Sequence, residues 1–133
     1  MSQENVEMVR SIYEHGLLDS ADGHNAFAEA EIEYVNPPDA IDAGVRRGSG
    51  LRTALGSLTD AFDEREHQLR RVFDAGDMVV ADVVFRGRGA TSGATVNQDD
   101  EAHTWTFDGT GRIVRFEWGR DLAQALKAVG LEE

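Results

Sequence analysis

Cysteine is absent from this chain, and proline occurs only twice among its 133 residues. The lack of cysteine excludes disulfides, thiolate metal sites and thiol catalysis, and it makes the cytoplasm the expected compartment. Long apolar runs are lacking too, because no stretch approaches the ~20 apolar residues that a membrane helix needs. The polar and acidic start, Met1 to Glu4, is unlike a signal peptide. We therefore expect no membrane partner.

Basic residues are scarce relative to acidic ones. The chain has 13 Lys and Arg against 25 Asp and Glu, which gives a formal net charge of −12. Such a field repels phosphate backbones, so we expect no nucleic-acid partner. The length and the hydrophobic content of 41% suit one globular domain, and we predict a single domain over 1–133.

Helical spacing of apolar residues predicts four helices. The first covers 5–15, with an apolar stripe that includes Val9 and Tyr13, and the second covers 21–30 after a cap at Asp19 or Ser20. The third begins at Ser49 and carries Leu51, Leu55, Leu58 and Phe62 at helical intervals, so that its outer side ends in the charge run 63–66. A fourth, 121–129, ends before a glycine.

Alternation of apolar and polar residues predicts five strands. They lie around 32–34, 69–73, 78–86, 96–107 and 112–118, and the stretch 39–50 is expected to be a loop. Helices therefore gather at the front of the chain and strands behind them. This order predicts an α+β fold with a curved, mostly antiparallel sheet.

The last two predicted strands form a hairpin that carries both tryptophans. His103, Trp105 and Phe107 share one face of the first strand, whereas Val114, Phe116 and Trp118 share one face of the second. If these are the same face of the sheet, an aromatic wall surrounds one titratable group. On the opposite face of the sheet, Val72, Val80 and Val84 predict a half-apolar patch that a second copy of the chain covers in a homodimer.

Several stretches resemble the nuclear-transport-factor-2-like superfamily, especially its SnoaL-like branch of polyketide cyclases and ketosteroid-isomerase-like proteins. The stretches are VEMVRSIYE, EYVNPP, RRGSGLRTAL, DAGDMVV, HTWTFDGTGRIVRFEW and the tail ALKAVGL. The resemblance implies a conical α+β barrel with a pocket between sheet and helices, and a homodimer through the other sheet face. Its members include isomerases, cyclases, epoxide hydrolases, dehydratases and proteins without chemistry, so the fold alone does not settle the function.

Ketosteroid isomerases match this chain only in part. Their base aspartate corresponds to Asn36, which cannot take up a proton at neutral pH. Their oxyanion-donating tyrosine falls at Ile12, so Tyr13 is expected on a different face of the helix, and their second oxyanion acid corresponds to His103. The resemblance therefore argues against proton abstraction by the isomerase route.

Limonene-type epoxide hydrolases match at two positions and differ at three. Their water-positioning pair corresponds to Tyr34 and Asn36, but Val83, Ala81 and Trp118 stand where they have Asp-Arg-Asp. SnoaL-like cyclases use an inward aspartate on the strand that here holds His103. Epoxide hydrolysis is thus the least expected of these activities.

His103 is the candidate catalytic residue, because an imidazole with a pKa near 6.5 can both remove and return a proton at neutral pH. Glu101 should share its face and could orient the ring, as carboxylates do in other acid–base pairs. The alternative is a structural histidine that hydrogen-bonds Tyr34 or Asn36. The predicted substrate-binding residues are Tyr13, Tyr34, Asn36, Glu101, Trp105, Phe116, Trp118 and Arg120.

No metal site or cofactor is predicted, because the four histidines are far apart and follow no chelating spacing. Two functions remain open. One is a pocket for a small hydrophobic, cyclic or polyketide-like molecule, with isomerase- or cyclase-type acid–base chemistry at His103. The other is a non-catalytic ligand-binding or dimeric scaffold protein of the same fold.

Overall fold

The computed structural model describes residues 2–38 and 43–131, so part of the predicted 39–50 loop lies outside the described residues. Its helices are α1 (Ser2–Glu14), α2 (Ala21–Glu29), α3 (Ser49–Ala61) and α4 (Leu122–Ala128), with a 3₁₀ turn at Leu17–Asp19. Its strands are β1 (Glu33–Asn36), β2 (Gly44–Arg46), β3 (Phe62–Ala75), β4 (Met78–Gly89), β5 (Thr95–Phe107) and β6 (Ile113–Gly119).

The strands form one sheet in the order β2-β1-β6-β5-β4-β3. All neighbours are antiparallel except β1 and β6, which are parallel. The α+β class and the mostly antiparallel sheet are confirmed. The sheet is curved and open, with β2 and β3 at opposite edges of the described residues, which is consistent with the predicted α+β cone.

Strand β3 is much longer than the sequence pattern indicated. It starts at Phe62, directly after α3, so the charge run 63–66 belongs to a strand and not to the end of a helix. As an edge strand, β3 can expose polar side chains while its backbone pairs with β4 over almost its whole length. Strand β2 was missed because it has only three residues and neither of its sides is buried.

Two irregularities change which residues share a face. A register shift between Leu69 and Arg71 leaves Arg70 outside the ladder, so Val72 pairs with Ala81 and packs against the inner core. The predicted outer patch therefore loses Val72, and its other two members, Val80 and Val84, are already buried within one chain.

A second shift lies in the hairpin. Thr106 pairs with Arg115 and Phe107 pairs with Ile113, which leaves Val114 as the extra residue. Val114 is exposed, while Ile113 packs against the core. Val114 was therefore wrongly placed on the aromatic face.

The two faces of the sheet are covered differently. The inner face packs against α1, α2 and α3 and forms the main core, which includes Val9, Phe27, Leu51, Leu55, Val79, Val83, Trp105 and Phe116. The outer face is covered in part by α4, which contacts β5 and β4 and buries Leu126. Asp121 begins α4 by accepting a hydrogen bond from the Gln124 amide.

Helix α2 is packed closely against the preceding 3₁₀ turn. A Cβ built on Gly23 would stand 1.9 Å from the Leu17 carbonyl oxygen, so the site admits only glycine without rearrangement. The Ser20 side chain, one of the two predicted caps, caps the helix by accepting from the Gly23 amide. None of the helices in the described ranges combines the length and the apolar character that a membrane crossing requires.

Candidate functional site

A chain of polar side chains, called the polar chain below, runs across the inner face of the sheet. It links Asp19 of the 3₁₀ turn, His67 of β3, Glu101 and His103 of β5, and Tyr13 of α1. Each residue belongs to an element that packs on the same side of the sheet, so the fold brings together groups that are up to 90 positions apart. His67, Glu101 and His103 are buried, whereas Tyr13 and Asp19, at the two ends, are half-buried.

His103 is held at both ring nitrogens. Its Nε2 lies 2.8 Å from Glu101 Oε1, and its Nδ1 lies 2.5 Å from the Tyr13 hydroxyl oxygen. Trp105 Nε1–H donates to the same Tyr13 oxygen at 3.0 Å. An ionised Glu101 can only accept, so it fixes the proton of a neutral ring on Nε2 and leaves Nδ1 to accept the Tyr13 O–H.

The other end of the chain is an Asp–His pair. Asp19 accepts from the ring Nδ1–H of His67 at 2.7 Å and from the His67 backbone amide at 3.0 Å. The His67 Nε2 faces Glu101 Oε1 at 3.8 Å, beyond normal hydrogen-bond distance. The ring of His67 also lies 5.6 Å from that of His103, centroid to centroid.

Both carboxyl groups of the polar chain, those of Glu101 and Asp19, are stabilised in the ionised form. Burial acts to raise the pKa of Glu101, but the hydrogen bond from His103 and the nearby positive groups outweigh it, so the pKa lies below its usual value of 4.5. The same balance holds for Asp19, where the bonds from His67 outweigh burial and lower the pKa below 3.8. Glu101 and Asp19 therefore act as acceptors.

His103 and Tyr13 of the polar chain are kept uncharged by burial. Burial lowers the pKa of His103 below its usual 6.5, although the Glu101 carboxylate partly offsets this. Burial also raises the pKa of Tyr13 well above 10, although the Trp105 hydrogen bond opposes the shift. At neutral pH the pair is thus a neutral imidazole and a protonated phenol.

The aromatic wall exists, but the space in front of it is closed. Phe116 contacts both Trp105 and His103, with ring centroids 4.4 Å and 5.0 Å away. The cavity between the sheet and the helices has a volume of only about 10 Å³, at the limit for one water molecule. It is lined by Leu18, Phe27, Ile32, Tyr34, Leu51, Leu55, Trp105 and Phe116.

The large depression of the molecule lies on the other side of the sheet. This outer groove has a volume of about 1190 Å³ and runs between the outer sheet face and α4. Its floor includes Thr104, Thr106 and Glu117, whose side chains point away from the inner core, and Gln124 and Ala125 of α4 form one wall. The expected single pocket on the inner side is thus a small closed cavity, and the open space is elsewhere.

The predicted site residues fall into three places. Tyr13, Glu101 and His103 belong to the polar chain, and Tyr34, Trp105 and Phe116 line the closed cavity or its sheet side. The remaining three residues, Asn36, Trp118 and Arg120, line the outer groove, and Trp118 also packs against the inner core, as its pairing with His103 predicts. There Trp118 Nε1–H donates to Asn36 Oδ1, and the Arg120 guanidinium stands 5.7 Å from the centre of the Trp118 ring.

The partners of His103 agree in part with the expectation. Glu101 contacts the ring, as its position two residues earlier predicted, whereas the second partner is Tyr13 and neither Tyr34 nor Asn36. Tyr13, a predicted substrate-binding residue, reaches the inner face although it lies one position from Ile12. Asp19 and His67 were missed. Alternation from Leu69 back to His67 would have placed His67 on the inner face, had the strand been extended.

Three residues of the polar chain could hold a metal ion together. The candidate ligand atoms of His67, Glu101 and His103 all lie within 4.8 Å of one another, and all three residues are buried. Sequence spacing could not reveal this cluster, because His67 and His103 stand on β3 and β5, with β4 between them.

Comparison with known proteins identifies the fold. No family model matches the sequence, and no curated protein matches it. A nuclear-transport-factor-2-like protein of unknown function from Burkholderia pseudomallei K96243 superposes with a TM-score of 0.71 at 20% identity, covering 96% of this chain and 98% of that one.

Two further solved structures give the same result. TerC, co-crystallised with polyporic acid, has a TM-score of 0.70 at 20% identity over 95% of this chain and 98% of its own. A Jannaschia sp. CCS1 protein assigned as a SnoaL-like polyketide cyclase has a TM-score of 0.68 at 17% identity, over 99% of this chain and 95% of its own. The chain therefore has the nuclear-transport-factor-2-like fold, as the resemblance implied.

Proposed function

We propose that this protein, which has the nuclear-transport-factor-2-like fold, binds a small hydrophobic cyclic molecule on the inner side of its sheet and performs acid–base chemistry of the isomerase or cyclase type. The observation that carries the proposal is the Tyr13–His103–Glu101 hydrogen-bond chain, which ends against an aromatic wall. A polar chain inside an apolar core costs stability unless every member is satisfied, so its presence favours a role beyond packing.

The division of roles follows from the hydrogen bonds. Glu101 holds the proton of His103 on Nε2, which leaves Nδ1 as the base. Nδ1 faces the Tyr13 oxygen, so the phenol is the group that exchanges a proton with the substrate and His103 takes up or returns that proton. Trp105 Nε1–H, which donates to the same oxygen, stabilises the charge that develops there.

The substrate needs space that the closed cavity does not provide. Leu51 and Leu55 of α3 face Trp105 and Phe116 of the sheet across a cavity of only about 10 Å³. A ring-sized ligand can enter only if α3 or α2 moves away from the sheet. The apolar lining selects a hydrophobic molecule, and Tyr34 adds a polar group at the cavity wall.

The test uses proton exchange, which can be measured whatever product the reaction gives. Polyporic acid, with which TerC was co-crystallised, is the first ligand to assay for binding, followed by cyclic ketones with exchangeable C–H protons in D₂O. We expect the wild-type protein to accelerate exchange and His103→Gln to lose about 100-fold or more of that rate. Exposed His15, outside the polar chain, provides the matched control His15→Gln, which should exchange at the wild-type rate.

The outcome has two informative failures. Equal exchange by wild type and His103→Gln would remove acid–base catalysis from His103. Binding without any exchange would favour the alternative, a non-catalytic ligand-binding or dimeric scaffold protein.

That alternative has one observation in its favour, since the groove of about 1190 Å³ on the outer sheet face is open without movement of a helix, although it includes neither Val80 nor Val84, on which the predicted homodimer contact rested. Sedimentation at micromolar concentration decides whether two copies associate. A monomer there would contradict the dimer.

A further inference from the structure

Two histidines approach each other over strand β4, at the point where its inward side chains are Ala81 and Val83. His67 of β3 is opposite Phe85 of β4, and His103 of β5 is opposite Ala81, with Val83 between them on the same face of β4. Because Ala81 and Val83 fill little space, the imidazole rings extend over β4 and lie 5.6 Å apart. Glu101, opposite Val83, stands between the two rings in register.

Each histidine has one nitrogen occupied by a supporting group and the other directed at Glu101. The Nδ1 atoms face Asp19 and Tyr13, at 2.7 Å and 2.5 Å. The two Nε2 atoms face the Glu101 carboxylate, at 3.8 Å for His67 and 2.8 Å for His103. A histidine that ligates a metal has this arrangement, in which the second nitrogen is fixed by a carboxylate or another polar group.

The contact between His67 and Glu101 leaves room for a ligand atom between them. Their nearest atoms, His67 Nε2 and Glu101 Oε1, are 3.8 Å apart, which is beyond hydrogen-bond distance, and both residues are buried. A metal ion placed between these two atoms would be bound by both.

We propose that His67, Glu101 and His103 form a binding site for one divalent first-row transition-metal ion such as zinc. With bonds of about 2.0–2.1 Å, the ligand atoms of a tetrahedral site lie about 3.3 Å apart. The two contacts with Glu101 need to change by about half an ångström, and the imidazole pair, within 4.8 Å, closes further by ring rotation. Two histidines and one carboxylate suit zinc or iron(II) and leave a fourth position for water or a ligand.

Metal binding goes beyond the proposed acid–base function and changes it. The ion takes the His103 Nε2 lone pair, so the ring proton moves to Nδ1, where the Tyr13 oxygen accepts it. His103 then holds the metal and no longer serves as the base. Binding can be measured without any substrate, so its failure leaves the acid–base proposal untouched, and failed proton exchange leaves the metal site untouched.

The test is titration of the tag-free, metal-stripped protein with ZnCl₂ by calorimetry and with CoCl₂ by visible absorption. We expect one ion per chain and the intense visible bands of tetrahedral cobalt. Glu101→Gln keeps the shape of the side chain and should weaken binding by roughly 100-fold or more, whereas Asp19→Asn should weaken it by about 10- to 100-fold. His15→Gln, which removes an exposed histidine, should bind as the wild type does.

Wild-type protein that takes up no stoichiometric zinc or cobalt overturns the proposal, whatever the variants do. Uptake that Glu101→Gln leaves unchanged also overturns it, because the ion then binds elsewhere. Circular dichroism of each variant separates loss of a ligand from loss of the fold. If Glu101→Gln does not fold, Asp19→Asn takes its place, and unchanged binding by that variant counts against the site.

Discussion

The inner and outer faces of the sheet differ in how their polar groups are used. On the inner face, Tyr13, Glu101 and His103 are surrounded by apolar side chains and bond one another. On the outer face, Asp82 is equally buried but bonds Arg70 and Arg71, whose guanidinium groups are about half exposed. The outer arrangement satisfies a charge by reaching solvent, whereas the inner one satisfies its charges internally.

That difference separates a structural ion pair from a candidate site. A pair that reaches solvent needs no further partner and is readily explained by stability. The inner chain contains a 3.8 Å gap between His67 and Glu101, and its His103 ring contacts the aromatic wall at Phe116. Internal polar chains of this kind are therefore the better guide to function in this molecule.

The largest expected effect tests whether the inner face carries most of the stability. Leu51, 1% exposed, packs between α3 and the sheet, so Leu51→Ala should lower the free energy of unfolding by about 3 kcal/mol. Met78 is 37% exposed at the outer groove, so Met78→Ala should lower the free energy of unfolding by less than about 1 kcal/mol. Urea unfolding measures both.

A large loss for Met78→Ala that grows with protein concentration would instead mean that a second copy covers the outer groove.

The next effect compares two glycines within the inner helices. Gly23→Ala places a Cβ 1.9 Å from the Leu17 carbonyl oxygen, and the displacement should cost about 2 kcal/mol. A Cβ built on Gly56 of α3 would meet no neighbouring atom within 4 Å, so Gly56→Ala should stabilise the protein by about 0.5–1 kcal/mol. Thermal unfolding of the two variants should shift in opposite directions. Shifts in the same direction would contradict the close packing of α2.

A third prediction concerns pH. The pKa of His103 is lowered in the folded state, so below its usual value of 6.5 the unfolded chain binds a proton that the folded chain does not. Stability should therefore fall as the pH falls below 6.5, by up to about 1.4 kcal/mol per pH unit for this one group. The lowered pKa values of Glu101 and Asp19 act in the same direction at lower pH, below 4.5 and 3.8.

Comparison with His103→Gln measures the contribution of His103 together with its hydrogen bond to Glu101, because the substitution also removes the bond that lowers the Glu101 pKa. The variant should have the flatter dependence of unfolding free energy between pH 6.5 and 5. Equal slopes would mean that the His103 pKa is not lowered by folding.

The smallest effect concerns the exposed pair on the edge of the sheet. Arg88 Nη2 lies 3.0 Å from Glu64 Oε1, and both side chains are about half exposed or more. Arg88→Ala should change the free energy of unfolding by less than about 1 kcal/mol, and 0.5 M salt should reduce the difference further. A larger loss of unfolding free energy that salt does not change would mean that this pair contributes to stability as the internal contacts do.

Much of the fold could be predicted because alternation is strong in the central strands. Strand β4 is buried on both faces and β5 carries Trp105 and Phe107 at the expected parity, so both were identified from side-chain pattern alone. Edge strands could not be found this way. The backbone of β3 is held by β4, and its polar residues at 63–66 give no apolar signal.

Within the candidate site, only the contacts inside one hairpin could be predicted from the sequence. Glu101 and His103 stand two residues apart on one strand, so their contact followed from local geometry. Asp19 and His67 are 48 positions apart, and their contact depends on how the 3₁₀ turn packs against β3, which residue spacing does not give. The filled cavity was not predicted either, because packing between α3 and the sheet depends on distances that spacing does not give.

Helix α3 passes into β3 without a connecting loop, since Ala61 is the last helical residue and Phe62 already has extended backbone angles. The helix is therefore anchored to the sheet at its C-terminal end, whereas its other end follows Gly48, whose φ of 54° suits a hinge. A sliding motion of the whole helix would break the start of β3. If the proposed ligand enters the inner cavity, we expect the helix to tilt about its anchored end, so that the ligand passes Leu51 before it meets Leu55.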